Sequence, residues 1–374
     1  MHLVLCVLLV LVTGCGELPV EPPPSADAGT EAPDAGAAPE CPAGSHAVEG
    51  GCDATMTWST GPALPLARDH HVTLVTTGGE RAWLYVLGGS PDRVNSLDST
   101  FRAPLGQTGN PGAWEEGEPL PRPMSGHSLA QLGAYVVVAS GTEAPLRLST
   151  RTHVAKTEAD GRLRTWREGP ALPAARFHHA AAVHGRTVFV TGGLHTVGPD
   201  ADNAADVFAA DLDESGTLGP WRTLRALPDK RSHHAAIASG GGLYVLGGLR
   251  GNPSAAHVTL DDVLRADILP DGNLGEWRKV STLPRAVTTH AVFEHVGRLW
   301  IVGGIEAMHD FTGNVRRAPL LPDGGLGPWT SAAPLPVARG HVHQTPRFGD
   351  RVYSVAGANA GMKSIADVAV GMLE

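Results

Sequence analysis

Arginine and histidine recur together at intervals of 108, 55 and 108 residues, and these residues could carry chemistry. Each of four arginines stands three residues after the proline of a Leu-Pro pair, and a histidine follows it two residues later. The arginines are Arg68, Arg176, Arg231 and Arg339; the histidines are His70, His178, His233 and His341. Guanidinium groups bind carboxylates through paired hydrogen bonds, and several imidazoles together could hold a metal ion. We assign all eight as candidate binding residues.

A structural role for the same residues stays open. A residue that recurs in most units of a repeat often serves the packing of each unit. At His71 a second histidine follows the first, and neighbours on a strand point to opposite faces, so both cannot line one channel. Spacing along the chain does not give distances between repeats, so no metal or other cofactor is assigned.

Six tryptophans mark the repeat to which these residues belong. They are Trp58, Trp114, Trp166, Trp221, Trp277 and Trp329, with gaps of 56, 52, 55, 56 and 52 residues. A period near 50 residues indicates one supersecondary unit used repeatedly. We expect the tryptophans to be core residues rather than platforms for sugar stacking.

Each unit contains short apolar runs bounded by Gly, Pro and Asp. One run ends in paired glycines, as in the stretch from Leu243 to Gly248, and Asp271-Gly272 stands before the next tryptophan. Such runs predict strands joined by hairpins, with glycine where positive φ or a close backbone approach is needed. Four strands per unit, repeated radially, predict an all-β propeller.

The strand of the form hydrophobic-Tyr-Val-x-Gly-Gly, the tryptophan and the Pro-x-x-Arg start of each unit resemble the kelch repeat. The resemblance covers about residues 56–374, with departures at Ala139-Ser140 and Ala356-Gly357. It implies a kelch-type propeller whose arginines and loops at one face contact a partner. The loops after the Gly pairs differ most between units, so specificity is expected there.

The number of strands predicts six blades in residues 54–374. Six Leu-Pro loops and six second strands are present, four of which end in a Gly pair, and no tryptophan follows the last unit. Trp58 has no strands of its own before it. We therefore expect the strand from Thr55 to Thr60 to complete the last blade and close the ring, which removes exposed edges.

The first 53 residues differ from the propeller in composition. Residues 1–14 resemble a bacterial lipoprotein signal with its lipobox, which implies lipidation of Cys15. Residues 15–40, rich in Pro, Ala and acidic side chains, predict a disordered tether. An ordinary cleaved secretion signal is the alternative. The resemblance places the chain in the cell envelope, at the outer membrane or cell surface.

The charge distribution and the cysteines further narrow the functional class of the protein. The net charge is −9, and residues 1–53 hold eight acidic residues without a Lys or Arg, so the propeller is near neutral. It offers no basic face for nucleic acid. Cys41 and Cys52 are the pair left after the signal and lipid positions, and export favours a disulfide across a small loop, residues 41–53. Free thiols or a metal site are alternatives.

The sequence favours a non-catalytic, monomeric module that binds a protein or glycan partner at the channel-mouth loops. Some kelch-type propellers are enzymes. Galactose oxidase uses a cysteine cross-linked to a tyrosine at copper, and residues 54–374 contain no cysteine, so that activity is not expected. Activity like that of the six-bladed sialic acid mutarotases is the alternative. Glu306, His309 and Asp310 lie in a variable loop, but no spacing singles them out.

Overall fold

The computed structural model describes residues 41–48, 51–144, 147–307 and 310–374. They form six four-stranded antiparallel sheets, each of which is one blade. The first strands of neighbouring blades contact each other, so they surround a central channel, and the later strands follow outward. The predicted all-β, six-bladed architecture is therefore confirmed.

The strands occupy the same four positions in every blade. The first strands are Val72–Gly78, Ser128–Leu132, Ala180–His184, Ala235–Ser239, Ala291–His295 and Arg347–Phe348. The second strands are Arg81–Leu87, Tyr135–Ala139, Thr187–Thr191, Gly242–Leu246, Arg298–Val302 and Arg351–Val355. The third strands are Thr100–Leu105, Thr152–Thr157, Val207–Asp211, Asp262–Asp267, Val315–Pro319 and Val368–Leu373. The fourth strands are Glu115–Glu116, Leu163–Gly169, Arg222–Leu224, Arg278–Thr282, Thr330–Ala332 and Met56–Gly61.

Short two-stranded hairpins lie outside the blades. They are His46–Val48 with Gly51–Asp53, Thr142–Ala144 with Arg147–Leu148, Leu249–Gly251 with His257–Thr259, Ile305–Ala307 with Asp310–Phe311, and Ala358–Asn359 with Lys363–Ser364. Within the described residues the one helical element is a 3-10 turn, Gly198–Asp200. In the same part of the chain, no helix has the length and apolar character needed to cross a membrane.

The N-terminal strand closes the last blade, as predicted. Met56–Gly61 pairs with Val368–Leu373, with Trp58 opposite Gly371. The indole of Trp58 lies over Gly371, where a Cβ would come within 3.0 Å of the ring. A larger residue there would push the closing strand away from the blade.

The core lies between the blades. The second strands are buried because they are covered on both faces, and each hydrophobic cluster joins two neighbouring blades. Tyr244 and Leu246 of blade 4 pack with Leu299 and Ile301 of blade 5. Burial of this apolar area makes the association of neighbouring blades favourable.

The Gly pairs hold the blades in a ring. The second glycine of each pair donates its N–H to a carbonyl at the start of the next blade. The six acceptor carbonyls belong to Arg68, Met124, Arg176, Arg231, Val287 and Arg339. At Gly248, φ is +94°, and a Cβ would lie 2.6 Å from Ser232 O. The expected need for positive φ and close approach is confirmed. At the first position of the pair, Ser140 and Ala356 adopt positive φ instead of glycine.

The tryptophans lie at the outer edge of the core. All six are half-buried, on or beside the fourth strands, and each packs against a hydrophobic cluster, so the core prediction holds only in part. Five donate their indole N–H to the segment that follows the fourth strand of the preceding blade or to that strand's end. Trp221 donates to Pro170 O at 3.0 Å and Trp58 to Ala333 O at 2.8 Å. Trp166 Nε1 is buried and has no hydrogen-bond partner among the described residues.

Because Trp221 makes an indole hydrogen bond and Trp166 does not, replacement by phenylalanine should lower stability by different amounts at the two positions. Trp221→Phe removes a hydrogen bond between blades, and this loss alone is expected to lower the free energy of unfolding by about 1–1.5 kcal/mol. Trp166→Phe loses a similar ring area but no hydrogen bond, so it should cost about 1–1.5 kcal/mol less than Trp221→Phe. Urea unfolding of both variants measures the difference. Equal losses would mean that the indole bonds do not contribute.

A small hairpin precedes the propeller. The disulfide joins Cys41 to Cys52, and Asp53 forms ion pairs with Arg298 and Arg317 of blade 5. His295 Nε2 lies 2.8 Å from Gly44 O. The structure thus fixes this loop against blade 5. The predicted signal, the lipid site Cys15 and the tether all lie outside the described residues.

Candidate functional site

Six equivalent residues surround the channel just before the first strands. They are His70, Gly126, His178, His233, Thr289 and His341, and all six adopt φ between 52° and 57°. Such values are uncommon for residues other than glycine, so the position is under a specific constraint. It lies at the same end of the propeller as the loops that follow the Gly pairs.

A row of four backbone hydrogen bonds, which joins five of the six residues, accompanies this conformation. Gly126 N–H donates to His70 O, His178 N–H to Gly126 O, His233 N–H to His178 O, and Thr289 N–H to His233 O. The positive φ turns each N–H toward one neighbouring blade and each carbonyl toward the other. The side chains therefore project together at the channel.

The structure brings the four predicted histidines together at one place. The ring centroids of His178 and His233 are 3.6 Å apart, those of His70 and His341 are 4.3 Å apart, and those of His70 and His178 are 4.5 Å apart. His341 Nδ1 lies 2.9 Å from His70 Nε2. All four side chains are buried.

Two of these histidines are oriented by the residue before them. Asp69 Oδ1 accepts a hydrogen bond from His70 Nδ1 at 2.5 Å, and Ser232 Oγ lies 2.8 Å from His233 Nδ1. These contacts leave Nε2 of each ring available to the channel. A carboxylate behind an imidazole also raises the basicity of the free nitrogen.

Burial keeps His178, His233 and His341 neutral near pH 7. It lowers the pKa of His178, His233 and His341 well below 6.5, and the surrounding imidazoles lower it further. Burial alone would raise the pKa of Asp69, but His70, His341 and Arg93 lower it to about 2. The site thus holds one carboxylate and several imidazoles with free electron pairs.

The predicted arginines do not reach this site. All four are buried, and their guanidinium groups bind the segment between the second and third strands of their own blade. Arg231 forms a two-point contact with Asp262 at 2.8 Å and also donates to Gly247 O. Arg339 donates to the carbonyls of Ser354, Ala356 and Asp367.

The other two arginines follow the same pattern. Arg68 donates to the carbonyls of Gly88 and Ser99, and Arg176 forms an ion pair with Asp206. Burial lowers the pKa of Arg68 and of Arg339 to about 10. Their assignment as partner-binding residues is therefore corrected, because side chains bonded inside a blade cannot contact a partner at the face.

The second histidine of each pair has a different place. His71, His127, His179, His234 and His290 occupy equivalent positions, and blade 6 has Val342 there. Each is buried against the Gly pair of its own blade. All five have at least one ring nitrogen without a hydrogen-bond partner in the described ranges, and His127, His179 and His290 have two. These residues pack the blades together.

A cavity of about 290 Å³ opens above the histidine cluster. His70, His178, His233 and His341 line its floor. Phe177, Leu194, Leu249, Ile305 and Met362 form apolar walls, and Arg93 is the charged lining residue besides the histidines. A second cavity of about 230 Å³ adjoins it and shares Arg93, Phe177 and Leu194. We call the two together the mouth pocket.

The walls of the mouth pocket come from the variable loops. Arg93, Leu194, Leu249 and Ile305 all follow a Gly pair, in blades 1, 3, 4 and 5. Glu306 and His309 were among the residues considered for mutarotase-like activity. Glu306 forms an ion pair with Arg316 at 2.7 Å, and His309 lies outside the described residues.

Known proteins with related sequences carry kelch repeats. No protein-family model matches the chain. Human Kelch-like protein 34 is 27% identical over 241 residues, which are 60% of this chain and 34% of that protein. Beta-scruin from Limulus polyphemus is 28% identical over 171 residues, 44% of this chain and 17% of its own length. The chain is a kelch-repeat β-propeller.

The kelch propeller also matches a solved structure in fold. The protein described as YjhT superimposes with a TM-score of 0.64 over 84% of this chain and 99% of its own, at 14% identity. At that identity the likeness shows the fold alone. The chain spans about a third or less of the curated relatives named above.

Sequence reasoning missed several residues of the mouth pocket. Asp69, Arg93 and Phe177 had not been assigned, and His343 packs beside the cluster, with ring centroids 5.3 Å from His178. A signal existed for Asp69. Of the six residues that precede the channel positions, it is the one acid, and a departure from a repeat marks a local role.

Proposed function

We propose that the kelch propeller binds a protein partner at the mouth pocket, with one partner loop inserted between the variable loops. The observation that supports this most directly is the character of the pocket and its rim. The walls are apolar, the pocket is concave, and two exposed valines flank it. Exposed apolar surface beside a pocket is typical of interaction sites.

The rim valines carry the argument furthest. Val94 is 58% exposed and lines the second cavity; Val258 is 55% exposed and pairs with Arg250 on the outer face of the hairpin whose other face lines the first cavity. They come from blades 1 and 4, so a partner that covers both also covers the pocket. Exposed apolar side chains beside a pocket are typical of surfaces that bind a partner.

A glycan fits the mouth pocket less well. Sugars need many hydrogen-bonding groups; Ser254, Thr259, Thr288 and Thr289 supply some in the first cavity, but Phe177, Leu194, Leu249, Ile305 and Met362 cover much of its wall. The six outer tryptophans lie around the circumference with their indoles turned into the blade contacts, so they form no joint platform. The small size of the pocket suits one side chain and its neighbours.

Charges placed on the rim test this proposal. Val94→Asp together with Val258→Asp should weaken capture of the partner at least tenfold, because a charge in an apolar contact must be desolvated. The matched control is Leu269→Asp with Leu321→Asp. These exposed leucines follow third strands, at the other end of the propeller.

The measurement is quantitative mass spectrometry of envelope proteins retained on the immobilised chain. The proposal predicts a protein set that the rim variant loses and the control keeps. Equal retention by both variants would contradict it. Capture of labelled glycans by wild type but not by the rim variant would replace the protein partner with a sugar.

One observation favours an enzyme as the second candidate. The Asp69–His70 pair lies under the pocket, with the imidazole oriented by a carboxylate, an arrangement that suits general base catalysis. A carbohydrate-active function of the mutarotase kind would use this pair. The exported location stays a proposal too, and the Cys41–Cys52 disulfide suits the oxidising compartment that export implies.

A further inference from the structure

Three imidazoles meet at the floor of the mouth pocket. His70, His178 and His341 come from blades 1, 3 and 6, and one nitrogen of each lies within 4.8 Å of the others. All three are buried and line the pocket. The backbone hydrogen bonds described above fix the Cα positions of His70 and His178, and His341 adopts the same positive φ at the equivalent position of blade 6.

We propose that His70, His178 and His341 bind a divalent transition-metal ion of the Zn²⁺ class, with an open coordination position facing the pocket. Three histidines plus one exchangeable ligand are typical of zinc sites with an open position. Imidazole nitrogen favours zinc, copper, nickel or iron over magnesium or calcium, which prefer oxygen.

Hydrogen bonding within the cluster cannot satisfy all three rings. Asp69 holds the Nδ1 proton of His70, so His70 presents the electron pair of Nε2. His341 can donate one proton across the 2.9 Å contact with that nitrogen. His178 Nδ1 is buried and has no partner among the described residues. One metal ion would satisfy the three electron pairs together.

The distances allow this with small movements. Zn–N bonds of about 2.0–2.1 Å in a tetrahedral site separate the nitrogens by about 3.4 Å. The contact between His70 and His341 is 2.9 Å, and the widest spacing in the group is at most 4.8 Å. Rotation of the rings by roughly an ångström at the nitrogens reaches this geometry.

The surroundings supply the supporting interactions. The carboxylate of Asp69 behind His70 is the usual partner of a metal-bound imidazole. His233 stacks on His178 at 3.6 Å between ring centroids, and its Nδ1 is bonded to Ser232, so it holds the ring of His178 in place.

The charges favour an anion as the fourth ligand. Asp69 balances one of the two positive charges of the ion, and Arg93 adds another beside the pocket. A carboxylate would suit that position. If the proposed partner binds here, an acidic side chain of its loop would reach the ion. The metal site itself does not depend on that partner.

Cobalt provides the direct test because Co²⁺ in a tetrahedral site absorbs visible light. The full chain, purified through a tag without histidine and treated with a chelator, is titrated with Co²⁺ and then Zn²⁺. We expect one equivalent to bind and Zn²⁺ to displace Co²⁺. His178→Gln and His341→Gln should each weaken binding at least a hundredfold, and Asp69→Asn about tenfold to a hundredfold.

Two histidine variants are matched controls. His184→Gln changes an exposed histidine at the other end of blade 3, and His257→Gln changes the pocket wall; both should bind Co²⁺ within about threefold of wild type. Circular dichroism without metal checks folding of each variant. If the triad variants do not fold, a Zn²⁺-dependent rise in the melting temperature of wild type and His184→Gln decides instead.

Two results would overturn the metal site. One is wild-type binding no tighter than that of the triad variants; the other is no thermal shift with Zn²⁺ in wild type. The rim variant Val94→Asp with Val258→Asp should keep full metal affinity. Loss of the partner with retained metal binding therefore separates failure at the rim from failure at the histidines.

Discussion

Arg231→Ala is expected to lower the free energy of unfolding by about 3–5 kcal/mol, although the equivalent arginines were predicted to bind a partner. The substitution leaves the carboxylate of Asp262 without its two-point contact and removes a donor to Gly247 O. Breaking a buried ion pair by removing one partner costs this much because the other charge stays in a low-dielectric site. Urea unfolding at neutral pH measures the loss.

The repeat itself supplies the control for this experiment. Met124 and Val287 stand at the equivalent position in blades 2 and 5, so an apolar residue fits the fold. Arg231→Met combined with Asp262→Asn should therefore cost at least 1 kcal/mol less than Arg231→Met alone. Exposed Arg250→Ala should change stability by no more than about 0.5 kcal/mol. A small effect of Arg231→Ala would return this arginine to the list of binding candidates.

The parts of the fold that depend on local pattern were predictable from the sequence. Strand order, blade number and closure by the Trp58 strand follow from the repeat and from which unit lacks a fourth strand. The Gly pairs were predicted to need positive φ, and Gly248 shows why, with Ser232 O in the place of a Cβ. These features depend on backbone geometry that a residue type reports directly.

Side-chain direction was harder to predict. The period located Arg231 and His233 in the same loop, but it did not indicate that one side chain turns into the blade and the other into the channel. That choice depends on Asp262 at the start of the third strand and on the positive φ at His233. Both are consequences of tertiary contacts.

The contact between the three histidines could not be predicted from the sequence for a related reason. His70 and His341 are 271 residues apart, and their contact exists because the ring closes between blades 6 and 1. Repeat spacing places both at one end of the channel but contains no inter-blade distance. Asp69 was visible in the sequence as a departure from the repeat, but its role could be recognised only from its contact with the imidazole of His70.

Acid should unfold the propeller through histidines that do not face the pocket. Burial lowers the pKa of His127 to about 3 and that of His290 to about 4, whereas an unfolded histidine titrates near 6.5. Below pH 6.5 these histidines bind protons in the unfolded chain but not in the folded chain, so the free energy of unfolding falls as pH falls. Each histidine contributes a loss of about 1.4 kcal/mol at pH 5.5 and about 2.7 kcal/mol at pH 4.5, until the folded pKa is reached.

Replacement by valine, which occupies the equivalent position as Val342, isolates this effect. His127→Val with His290→Val should leave stability at pH 7.5 within about 1 kcal/mol of wild type, since the ring nitrogens of both histidines have no hydrogen-bond partner in the described part of the chain. At pH 4.5 the double variant should exceed wild type by about 5 kcal/mol. Urea unfolding from pH 7.5 to 4.5 would show the two curves diverging. Parallel curves would mean that these histidines are protonated, or hydrated, in the folded propeller.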